Sequence, residues 1–216
     1  MPSTRTPRRL RRVTRLAAVP LLSLFLLLLS TTSAHAVPID LAYDANGSTT
    51  VSTTGSTIPL GPTTLNTTLE YSTGEFTGSM AIPSAHTHFW AAGFVPMSAD
   101  VTFVEAAPVT GKLSAHPEGG GSYVTATAQY YVKLSNVKAV GFPTFVGDSC
   151  RTKAPVTIPV ATPDGERFAV FTGGNLTGTY TIGDFQNCGL MTWLVNALVP
   201  GSGNQVTFTL SNPRRT

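Results

Sequence analysis

The sequence predicts an all-β protein, an antiparallel β-sandwich-like domain of about nine to eleven strands with a β-barrel as the alternative architecture. Three observations carry this. Threonine, which is stiff at its first side-chain torsion and favours strands, fills 28 of the 180 residues from Val37 onward. Gly and Pro clusters recur at short spacing between the apolar runs. Residues 123–134 alternate without a break: Val124, Ala126, Ala128, Tyr130, Val132 and Leu134 share one face, and Tyr123, Thr125, Thr127, Gln129, Tyr131 and Lys133 the other.

The first 36 residues read separately. Six arginines (Arg5, Arg8, Arg9, Arg11, Arg12, Arg15) precede an apolar stretch from Leu16 to Leu29, a polar Ser30-Thr31-Thr32-Ser33, and Ala34-His35-Ala36. This is the order of a secretory signal, with cleavage expected between Ala36 and Val37. The apolar stretch spans about 21 Å as a helix, short of the roughly 30 Å hydrocarbon core, so a retained anchor is disfavoured. Leu10-Arg11-Arg12 after Arg8-Arg9 fits a twin-arginine signal poorly, and no lipobox cysteine is present. The leader also explains the basic pI of about 9.0. Of the 14 Lys and Arg, six lie in it, leaving 8 cations against 11 anions and a net of −3. Nucleic acid is therefore no expected partner. The low charge and 42% hydrophobic content exclude disorder, and no later run is long enough to span a membrane.

The exported portion, 37–216, reads as one β-rich domain. Residues 44–64, rich in Gly, Ser, Thr and Pro, read as a loosely paired strand or an exposed loop, with Asn46-Gly47 as a turn signal. From Asn66 the strand signal sharpens through Leu69-Glu70-Tyr71 and Glu75 to Ile82. In residues 100–105, Val101, Phe103 and Glu105 share a face. Beyond the long 123–134 run, strands are expected at 137–140, 156–160, 167–171, 176–182 and 205–210. Leu190, Met191, Leu194, Val195 and Leu198 recur at helical spacing, and Pro200-Gly201 ends the run, so one short helix is expected, starting at Asn187 or Cys188. A weak echo links Phe76-Thr77-Gly78, Val109-Thr110-Gly111 and Leu176-Thr177-Gly178, where the glycines suggest a shared bend or bulge.

Cys150 and Cys188 are the only cysteines. In an oxidising compartment such a pair reads as one disulfide, tying the helix start to the Gly147-Asp148-Ser149 loop. Two cysteines without a Cys-x-x-Cys make only half a zinc site.

Candidate ligand contacts gather at one place. His86 and His88 are two apart, so on a strand both imidazoles point to the same face. The third ligand that a catalytic metal needs would have to come from His116, Asp100 or Glu105, and no metal or other cofactor is assigned. Phe89-Trp90-Ala91-Ala92-Gly93-Phe94-Val95-Pro96-Met97 follows, the most apolar stretch after the leader. Read as a buried strand or turn it is core; read as exposed, His86, His88, Phe89, Trp90 and Phe94 frame a ligand mouth. Other motifs have plainer readings. Ser202 lacks the Gly-x-Ser-x-Gly spacing. Asp164 and Glu166 flank Gly165 in a turn, Gly119-Gly120-Gly121 precedes a strand, and Arg214-Arg215 reads as a mobile basic tail. No catalytic residue is assigned.

Gly147-Asp148-Ser149-Cys150, Leu176-Thr177-Gly178-Thr179-Tyr180, Cys188-Gly189-Leu190 and the run from Leu194 to Asn204 resemble a group of uncharacterised secreted proteins of actinobacteria. The likeness covers roughly the C-terminal two thirds of the exported portion. It implies export and a β fold and carries no site. The functional expectation is a non-enzymatic protein of the cell envelope or medium that binds a hydrophobic ligand such as a lipid, or a cell-surface partner. The alternatives are a secreted metal-assisted hydrolase using His86 and His88, and a structural or adhesive surface module.

Overall fold

The computed structural model describes residues 38–116 and 118–216, which lie within one compact unit. The leader expected over 1–36 falls outside them. Over the described residues the fold is all-β, antiparallel and sandwich-like, with one short helix. Its strands are β1 (Ile39–Val51), β2 (Ser56–Pro59), β3 (Thr63–Glu70), β4 (Glu75–Met80), β5 (Ala85–Ala91), β6 (Val95–Ala115), β7 (Ser122–Ala139), β8 (Phe142–Pro143), β9 (Arg151–Thr152), β10 (Val156–Ala161), β11 (Gly174–Ile182), β12 (Phe185–Gln186) and β13 (Gly201–Arg215). A 3₁₀ turn, Gly189–Met191, leads into α1, Thr192–Leu198. The count exceeds the expected nine to eleven because β8, β9 and β12 are two-residue pieces too short to show alternation.

Pairing runs β12-β9-β7-β10-β11-β13-β1-β3-β4-β6-β5, and β6 also pairs with β7. The long strands thus wrap one interior, to which β1, β3, β6, β7, β10, β11 and β13 all turn apolar side chains. The link between β10 and β11 is thin, with Ala161 opposite Thr177 as its one register pair. On β7 the inward set is the one the alternation named: Val124, Ala126, Tyr130, Val132 and Leu134 are buried and Ala128 half-buried.

Three expectations are corrected. Residues 44–64 are not loose. Most of the segment lies in β1, β2 and β3; β1 is paired with β13 along nearly its whole length, with β3 over its first half and with β2 over its second. Polar side chains on both faces hid this, since Thr49 and Ser56 face the core beside Val51, Ile58 and Leu60. Residues 167–171 form no strand; Phe168 and Ala169 make isolated bridges to Ser122 and Gly173. Arg214-Arg215 is no loose tail, because Leu41 pairs with Arg215. Arg214 Nη1 lies 2.6 Å from Asp44 Oδ1, and that hydrogen bond, with a second from Asn212, holds the Asp44 carboxyl below its ordinary range.

The Thr-Gly echo has a shared packing cause, and a bulge accompanies its Val109-Thr110-Gly111 copy, where the β6–β7 register shifts between Ala107 and Thr110. Phe76 pairs with Gly111, and Gly78 with Val109. A Cβ on Gly111 would run into the Phe76 ring, and one on Gly178 into the Pro159 carbonyl. Each glycine lets a neighbour lie across a strand where a side chain cannot fit.

Candidate functional site

The apolar 89–97 stretch is the β5–β6 hairpin, with Ala91 pairing Val95 around a turn at 92–94. Strand alternation divides the candidate residues. Thr87 and Ala91 are buried and Phe89 half-buried, while His86, His88 and Trp90 point outward. Phe94 stands exposed at the hairpin tip. The five candidates therefore do not share a face, and only Phe89 reaches the interior.

On the outer face, His86 and His88 lie edge to face with ring centroids 4.8 Å apart. His86 Nδ1 is 2.6 Å from Asp100 Oδ1, and Asn136 Nδ2 donates to Asp100 Oδ2 at 2.9 Å. These two bonds, His86 first, hold the Asp100 carboxyl below its ordinary range. Glu105 instead accepts from Ser79 Oγ at 2.6 Å, and His116 lies at the β6–β7 turn, where its Nδ1 accepts the Glu118 N–H. Among the described residues no three His, Cys, Asp or Glu side chains are grouped to hold a metal.

Behind Phe89 lies an apolar cavity of about 320 Å³. Its sheet wall comes from β5, β6 and β7, including Phe89, Ala99, Val101, Val132 and Leu134. Its roof is the 3₁₀ turn and α1, which contribute Met191, Leu194, Val195 and Leu198. Polar groups at its border are few: Thr54, Ser56, Thr87, Thr144 and Tyr180. A second apolar space of about 80 Å³ lies within the interior that the strands wrap and shares Phe103 and Tyr180 with the first.

The roof is held at three points. The Cys150–Cys188 disulfide, with Cα atoms 4.2 Å apart, fixes its start. Asn196 Oδ1 accepts the Phe185 N–H at 2.7 Å while Nδ2 donates to the Phe185 carbonyl at 3.1 Å, so the side chain completes β12 as a strand partner would. Thr53 Oγ1 donates to the Val199 carbonyl at 2.9 Å. With seven residues α1 is too short to stand alone, and these ties keep its apolar stripe over the cavity.

Sequence reading recognised that stripe but assigned it to packing on a sheet. The signal that α1 roofs a space is the small-residue content of the opposing hairpin, Ala91, Ala92 and Ala99, which leaves the gap unfilled. Comparison with protein-family models, curated proteins and solved structures finds none that matches this chain.

Proposed function

We propose that this is an exported, non-enzymatic protein that holds a hydrophobic ligand in the cavity between the β5–β6–β7 sheet and α1. The observation that carries it is the cavity of about 320 Å³ with an almost wholly apolar lining. Leaving such a space unfilled forgoes on the order of 8 kcal/mol relative to a packed core, at roughly 24 cal/mol per Å³. That is comparable with the whole net stability of an ordinary domain. An apolar occupant recovers those contacts, and the volume lies in the range of small-molecule sites. The few hydroxyls at the border suit a ligand with one weakly polar end, such as a single-chain lipid. Export is supported by the leader sequence and agrees with the disulfide. An actinobacterial source and kinship with secreted proteins of those bacteria belong to the same proposal.

The test starts from protein recovered from the medium of a secreting host. Organic extraction and mass spectrometry should release a stoichiometric apolar compound, and the emptied protein should bind a soluble fluorescent acyl probe. Ala139→Phe, which places a ring in the cavity, should weaken probe binding about tenfold or more without lowering the melting temperature. An empty protein that ignores the probe, or a variant that binds it unchanged, would remove this reading.

A further inference from the structure

Three segments meet at the roof end of the molecule. The β5–β6 turn at 92–94 lies beside the β7–β8 turn, where the Val140 N–H donates to the Pro96 carbonyl at 2.8 Å. The 3₁₀ turn abuts the loop after β8, since a Cβ on Gly189 would fall 2.7 Å from the Phe145 carbonyl. From these segments Phe94, Phe142, Phe145, Leu190 and Trp193 project into solvent, each between 69 and 80% exposed. They interleave with cavity residues: Ala92 and Val95 flank the position of Phe94, Thr144 and Val146 flank Phe145, and Met191 and Leu194 lie beside Leu190 and Trp193. Cavity-lining and solvent-exposed side chains thus come from the same three segments here. The segments that carry these side chains, residues 89–97, 139–147 and 185–213, contain no Asp, Glu, Lys or Arg.

We infer that this end docks on the surface of a neutral lipid bilayer and that the cavity ligand passes through it; the passage rests on the proposed cavity function. Charge favours this occupant. Protein interfaces surround an apolar centre with a polar rim, whereas here the exposed aromatic side chains stand on segments free of charge, and Lys138 and Asp148 only border 139–147 in sequence. Burying such a surface among headgroups desolvates no ion, and Phe and Trp are suited to that depth. Continuity favours it too, since a ligand sized for this cavity is scarce in water and abundant in lipid. With no cation on the segments that carry the aromatic side chains, the end should bind with little dependence on salt, unlike a polybasic surface.

Both tryptophans of the chain, Trp90 and Trp193, are exposed, which supplies the readout. Residues 37–216 contain every described element of the fold and should float with phosphatidylcholine vesicles, with a blue shift in tryptophan emission, equally at low and high salt. Phe94→Asp/Phe142→Asp/Trp193→Asp changes only exposed side chains. It should weaken flotation at least about tenfold while soluble-probe binding persists. Absence of flotation in the parent protein, equal flotation of the triple variant, or flotation only on anionic vesicles at low salt would overturn the inference. So would self-association abolished by the triple variant without any vesicle binding, which would assign the face to a second copy. Vesicle binding in a parent that ignores the soluble probe would instead remove the cavity reading and leave the docking surface.

Discussion

Asn204 is fully buried on β13 and spends its amide on three backbone groups. Nδ2 donates to the carbonyls of Tyr180 and Gly201 at 3.1 and 2.8 Å, and Oδ1 accepts the Ser52 N–H at 3.0 Å. It thereby joins the ends of β1, β11 and β13 where their ladders stop. Asn204→Leu keeps the volume but orphans all three groups, each at about 1–3 kcal/mol. We expect a loss of about 3 kcal/mol or more in urea unfolding, against less than about 1 kcal/mol for the exposed Gln205→Ala. Equal effects for the two would show that water replaces the amide. Nothing in the sequence marks Asn204 out, because its role depends on the meeting of strands 24 and 152 residues away.

The roof element depends on the Cys150–Cys188 bridge, whose 38-residue separation corresponds to roughly 3.9 kcal/mol of chain entropy. Because the bridge joins the loop after β8 to the 3₁₀ turn, Cys150→Ser/Cys188→Ser should loosen the cavity cover before the sheets. We expect amide exchange in 188–199 to rise, and acyl-probe binding to weaken, while β7 and β13 stay protected. Uniform loss of protection would assign the bridge to global stability alone. Elements were legible where both faces declared themselves. In 123–134 apolar and polar positions alternate cleanly, whereas in 44–64 threonine and serine serve both faces and hide the period. At 167–171, Phe168 is a single core plug and its neighbours are turn. For the site, alternation placed His86 and His88 on one face, but the sequence reading grouped Phe89 with them, because which face is interior depends on where α1 lands, a long-range fact. The short pieces β8, β9 and β12 exist only through their partners.

Across the whole molecule the interior is apolar but laced with three inward tyrosines from separate strands. Tyr43 donates to the Val170 carbonyl at 2.8 Å and Tyr130 to that of Met80 at 2.7 Å, while the Tyr180 and Thr49 hydroxyls lie 2.7 Å apart. Burial pushes all three phenols up, Tyr43 to about 12; for Tyr130 the Glu105 charge adds to burial, and for Tyr180 the Thr49 bond opposes it. The sign follows from linkage. A phenol whose folded pKa exceeds its unfolded value of about 10 keeps its proton longer in the native state, so the unfolded chain binds fewer protons above that pH. Stability from these groups is complete below about pH 10 and is lost as pH rises toward the folded values. Urea midpoints should therefore hold steady up to about pH 9 and fall beyond about 10. Ultraviolet difference spectra should show three of the six tyrosines ionising late, together with unfolding. Tyr43→Phe should flatten the alkaline decline, because its ring stays packed against Phe168 while the titrating hydroxyl is gone. If all six phenols titrate together near their ordinary value with the fold intact, the tyrosines are wet and the closed interior described here is wrong. Since Tyr180 borders both cavities, the same spectra taken with an apolar ligand bound should delay its ionisation further, linking occupancy of the site to the stability of the sheets around it.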